Sequence, residues 1–169
     1  MLRRMVLACF LAMACFWDDR HGRIPNRLIV LMTVVGMGWS AFLQVSFRTA
    51  LMGMLLPFLA LFPLFLMRVL GAGDIKLLSA AGVYLGHQSW RLVVISLFLG
   101  GMAGLILLLR RGLFWKRIRE GLIYLMTLFR GKEMVPYHYG IDSREAITIP
   151  FSWCVFGASG MIWMADWWQ

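Results

Sequence analysis

Long apolar runs separated by short polar breaks organise this chain. Met5 to Trp17 is the first run, and a polar stretch from Asp18 to Arg27 follows it. In that stretch Gly22 punctuates, and Pro25 biases Ile24 away from helical conformation. Leu28 to Val45 is a second run, in which Gly36, Gly38 and Ser40 offer small surfaces for close helix packing. After a turn over Ser46-Phe47-Arg48-Thr49, Ala50 to Met67 makes a third, with Pro57 and Pro63 inside it predicting a kink. Asp74 to Gly86 is a short fourth run, His87 to Arg91 a turn, and Leu92 to Leu109 a fifth that carries Gly100 and Gly104 at i, i+4. Ile147 to Trp168 is the sixth, with Trp163, Trp167 and Trp168 as interfacial anchors. The pattern predicts an all-α, polytopic membrane bundle of about six transmembrane helices.

Residues 110–146 form the longest polar region. Within it, Leu113 to Arg130 mixes aromatic and aliphatic residues with Lys116, Arg117, Arg119 and Arg130, which predicts an amphipathic helix lying on the membrane surface. Residues 1–169 together read as one integral-membrane domain with this region as a cytoplasmic loop. The first run also fits a signal peptide with Ala12-Met13-Ala14 as its cleavage site. The further apolar runs behind it favour a first membrane helix.

Composition agrees with the pattern. The 169 residues are 61% hydrophobic, with a mean hydropathy of +0.76, above what soluble domains show. A net charge of +9 raises nucleic acid as a partner, but the basic residues lie mainly between the apolar runs, where they report orientation instead. With the first loop inside, thirteen of the seventeen lysines and arginines fall on the inner side, leaving Arg3, Arg4, Arg48 and Arg91 outside. Both termini are then expected outside, with Arg3 and Arg4 opposing that choice. Cys9, Cys15 and Cys154 all lie in apolar runs without a C-x-x-C pair, so they read as core or lipid-facing thiols. His21, His87 and His138 fall in three different loops and read as surface residues. No metal or cofactor is called for. Membrane lipid is the expected partner of the basic inner surface.

The chemistry concentrates in two places. Leu70-Gly71-Ala72-Gly73-Asp74-Ile75-Lys76 puts a carboxylate between long apolar runs, where an ionisable group is costly and marks a functional site. Asp18 and Asp19 stand where the first run ends. Two crossings separate Asp18 from Asp74, an even number, so both emerge on the same face, the cytoplasmic one. Carboxylates held together cannot both ionise easily, which leaves an acid and a base near neutral pH. Such a pair can activate a water and protonate a leaving amine. Gly71 and Gly73 would let the backbone approach a substrate and adopt conformations closed to other residues. Taken singly, Asp74 also fits an N-cap of the fourth helix, and Asp18 and Asp19 fit loop charges paired with Arg20 and Arg23. A membrane subunit or transporter using Asp18 and Asp74 as proton or cation sites is the alternative function. The chain shows no internal repeat of the kind transporters carry.

The chain resembles the type IV prepilin peptidases, membrane aspartyl proteases of the GxGD type, in their short form. The resemblance rests on Asp18…Arg23-Ile24-Pro25-Asn26-Arg27-Leu28, on Gly71-Ala72-Gly73-Asp74-Ile75-Lys76-Leu77-Leu78, and on Ile149-Pro150-Phe151 opening the last helix. It implies Asp18 and Asp74 as the catalytic pair, the spacing to Pro25 favouring Asp18 over Asp19. Gly71, Gly73, Lys76, Pro25 and Asn26 are then motif or substrate-positioning residues. The implied activity is removal of a short basic leader from prepilins or pseudopilins, after a glycine, at the cytoplasmic face of the bacterial inner membrane. Lacking a cysteine-paired insert, the chain is expected to be a peptidase without methyltransferase activity. Ser152 stands where many relatives have glycine, a departure expected to touch local packing and not the chemistry.

Overall fold

The computed structural model describes residues 2–42, 47–66, 70–110, 112, 115, 119 and 150–168. Most of these residues are helical, and no strand occurs among them. The helices are α1 (Leu2–His21), α2 (Asn26–Phe42), α3 (Phe47–Leu66), α4 (Ala72–Leu85), α5 (Ser89–Arg110) and α6 (Phe151–Trp167), with a 3₁₀ turn over Gly86–Gln88. The chain divides into two compact units, residues 1–99 with 150–169, and residues 100–149.

In the first unit, each of α1, α2, α3 and α6 buries one stripe. Leu7, Leu11, Ala14 and Cys15 do so on α1, and Ala50, Gly53, Pro57 and Leu61 on α3. These are the three- and four-residue spacings of one helix face. α4 differs, with nine of its fourteen residues buried. It is apolar nearly all round, and it is the helix the others surround. Outward, Val30, Val34, Leu55, Leu59 and Met161 are exposed, a lipid-facing pattern in a helical membrane protein. By length and apolarity, Phe47–Leu66 and the continuous Ala72–Arg110 stretch suffice to cross a membrane, and Asn26–Phe42 is apolar but shorter.

Side-chain pairings fix the helix directions. Arg3 at the start of α1 donates to the carbonyl of Val83 near the end of α4, at 2.7 Å. Arg4 is ion-paired with Asp166 at the end of α6. α1 therefore runs antiparallel to α4 and α6. Tyr84 donates to the carbonyl of Met32 at 2.8 Å, and Lys76 donates to Asn26, so α2 and α4 run parallel. α3 runs antiparallel to α4, and at Gly53 and Gly82 a methyl group on either would collide with the other's carbonyl. Gly36 and Ser40 line the buried face of α2, as the small-residue reading expects, whereas Gly38 faces open space. The Gly53–Gly82 contact is the closer one, and the reading of small residues had passed over it.

The helix ends depart from the expected ones. α1 continues through Asp18 and Asp19 to His21, because nothing breaks it before Gly22. Gly22 ends it at φ +60°, its N–H bonded to the Asp18 carbonyl at 2.8 Å. Phe47, Arg48 and Thr49, expected in a turn, already belong to α3, and both prolines lie inside that unbroken helix. The turn between α4 and α5 is Gly86–Gln88, and α5 resumes at Ser89. In the second unit, Gly112 (φ +66°) follows the end of α5, its N–H bonded to the Leu109 carbonyl. The expected surface helix over Leu113 to Arg130 lies outside the described residues, Trp115 and Arg119 excepted, and His138 lies outside them too.

Candidate active site

α1 ends, and α2, α4 and α6 begin, at one end of the first unit. Asp18 reaches this end from the last turn of α1. Asp74 reaches it from the first turn of α4. The two carboxylates are near enough to act on each other electrostatically. Asp18 is half-buried, whereas Asp19 is exposed. Helical geometry accounts for the difference. Consecutive residues point about 100° apart, so one helix cannot turn both toward the bundle.

Asp74 is not the N-cap of α4. Gly71 holds that position in extended conformation, φ −72° and ψ 147°, and Asp74 is the third helical residue. From there its carboxylate is hydrogen-bonded by the Gly71 backbone, half of the reciprocal pattern of a capping box. Gly71 is needed for close approach, since a Cβ there would stand 3.1 Å from Asp74 Oδ2. Neither motif glycine has positive φ, so conformations closed to other residues are not their contribution. Around Gly73 a Cβ would meet nothing within 4 Å.

The remaining motif residues gather at the same end. Lys76 Nζ donates to Asn26 Oδ1 at 3.2 Å, tying the first turn of α4 to that of α2. Pro25 immediately precedes α2, its carbonyl accepting from the N–H of Leu28 at 3.0 Å. Beside the motif, a groove of about 160 Å³ is lined by Phe58, Phe62, Phe65, Ala72, Ile75 and Lys76.

Three further side chains border the carboxylates. Ser152, in the first turn of α6, donates its hydroxyl to Asp18 Oδ2 at 2.6 Å and is wholly buried, 0% exposed. The Cys15 thiol interacts with both Ser152 and Asp18, and Cys154 lies within electrostatic reach of Asp74. Sequence reasoning had filed both cysteines as core or lipid-facing thiols. Only their phase on α1 and α6, which the helix pairing sets, brings them here.

An all-helical membrane protein with paired carboxylates at one end of its bundle is the class that fold and geometry define. The chain belongs to the type IV leader peptidase family, whose model matches residues 5–109. It is a peptidase of that family. A search of curated proteins returns no match for the chain, and neither does a search of solved structures.

Proposed function

We propose that this protein is an aspartyl endopeptidase that removes the short basic leader of prepilin-like substrates at the cytoplasmic face of the bacterial inner membrane. The observation that carries this reading is the meeting of Asp18 and Asp74 from antiparallel helices at one end of the bundle. One carboxylate takes a proton from a water whose oxygen attacks the scissile carbonyl carbon. The other, protonated, hands its proton to the amide nitrogen as the C–N bond breaks. The leader leaves with a new carboxylate and the mature chain with a new amine. No metal or cofactor enters these steps. Family membership supports the substrate class, and the apolar groove against Ala72, Ile75 and Lys76 of the motif would take an apolar side chain of the segment that follows the cut.

In this reading the whole chain is one membrane domain of about six spans, with residues 110–146 as a cytoplasmic loop. Gly71, Gly73, Pro25, Asn26 and Lys76 position the motif and the substrate. Lipid, not nucleic acid, covers the rest. The first test is co-expression of a prepilin with the wild type and with Asp18→Asn, Asp19→Asn and Asp74→Asn, read as a size shift. Asp18→Asn and Asp74→Asn should abolish cleavage and Asp19→Asn should retain it. Cleavage by all three variants would rule out the aspartyl mechanism. A wild type inactive on several prepilins would favour a non-catalytic membrane subunit or transporter.

A further inference from the structure

Ser152 goes unused by the mechanism as so far described, and it lies beyond the segment matched by the family model. Its hydroxyl is fully buried, so no bulk water is available to it. Its one proton is committed to Asp18 Oδ2 at 2.6 Å, within the 2.5–2.7 Å range of a hydroxyl donating to an ionised carboxylate. The Cys15 thiol touches the same hydroxyl from α1. The result is a side-chain chain from α1 through α6 back to the carboxylate.

We propose that Ser152 is a positioning residue that pins one oxygen of Asp18, turns the other toward the attacking water, and so makes Asp18 the base and Asp74 the acid of the pair. This rests on the reading of Asp18 and Asp74 as the catalytic dyad. Pinning Oδ2 leaves Oδ1 to receive the proton from water. Asp74 has no hydroxyl donor among the described residues, only the Gly71 backbone, and it is the member left to carry the shared proton. Among the described residues, Asp74 from α4 and Cys15 on its own helix act electrostatically on Asp18. Cys154 of α6 faces Asp74, and Lys76 of α4 is turned to Asn26 of α2.

The test uses the purified full chain in detergent and a peptide with a basic leader, a glycine at the cut and an apolar helix after it. Ser152→Ala should lower kcat about ten- to a hundredfold, the worth of a hydrogen bond to a charged group, with KM within about twofold. Ser152→Thr, which keeps the hydroxyl, should restore kcat. Unchanged kcat in Ser152→Ala, with Asp18→Asn inactive, would overturn the role of Ser152 alone. Cleavage by Asp18→Asn would overturn the dyad and this proposal together. Should Ser152→Ala lose rate only in step with its melting temperature, with Ser152→Thr failing to restore kcat, Ser152 is a packing residue and the proposal fails.

Discussion

A Cβ on Gly71 would stand 3.1 Å from Asp74 Oδ2, whereas one on Gly73 would meet nothing within 4 Å. The two glycines therefore do different work, although the motif presents them as equals. Gly71→Ala should push the Asp74 carboxylate off its place and lower cleavage about tenfold, which corresponds to only ~1.4 kcal/mol in the barrier. Gly73→Ala has room in the free protein and improves helix propensity by up to ~1 kcal/mol. Its melting temperature in detergent should hold or rise. If cleavage falls while stability is kept, the open space over Gly73 belongs to the substrate. Spacing to Pro25 separates Asp18 from Asp19 only through family resemblance, and the structure adds a physical reason, the 100° step of a helix. Ser152 was legible only as a departure from glycine. A serine in an apolar helix looks like a small packing residue, and its partner is 134 positions away.

At the scale of helices, the tightest contact is the approach of α3 to α4 at Gly53 and Gly82, where carbonyls leave no room for a methyl group. Gly53→Ala and Gly82→Ala should each destabilise the bundle by about 1–3 kcal/mol, the usual cost of overpacking. Thermal unfolding in detergent measures it, with Gly38→Ala, where a Cβ meets nothing within 4 Å, as the silent control. The apolar runs announced every helix described, yet most ends were misplaced by a few residues. Hydropathy reports where apolar surface stops, and a helix stops where its backbone is broken or capped. At α1 the polar residues Asp18 to His21 follow the apolar run, but the break comes only at Gly22. At α3 the polar pair Arg48-Thr49 looked like a turn, though it contains no breaker and forms part of the first helical turn. Which stripe of each helix faces inward was readable from spacing. Which stripes meet was not, because register between distant helices is set by packing.

For the whole molecule, the helix directions place Asp18, Asp74 and the start of α6 at one end, together with Arg20, Arg23, Arg27 and Lys76. Arg3, Arg4 and Arg48 lie at the other end. Arg3 and Arg4 are the residues that argue against placing the active-site end in the cytoplasm. In the bundle Arg4 is ion-paired with Asp166 and Arg3 donates to the Val83 carbonyl. Counted as lysines and arginines over the whole sequence, the excess supports the proposal that the end carrying Asp18 and Asp74 faces the cytoplasm. Cysteine labelling decides the point. In a chain with Cys9, Cys15 and Cys154 replaced by alanine and still able to cleave, Arg23→Cys and Arg48→Cys each expose a thiol at opposite ends, since both positions are exposed. A membrane-impermeant maleimide added to spheroplasts should label the Arg48→Cys variant at once. The Arg23→Cys variant should react only after the membrane is opened. The reverse pattern would turn the protein over, and with it the side of the membrane on which the leader is removed.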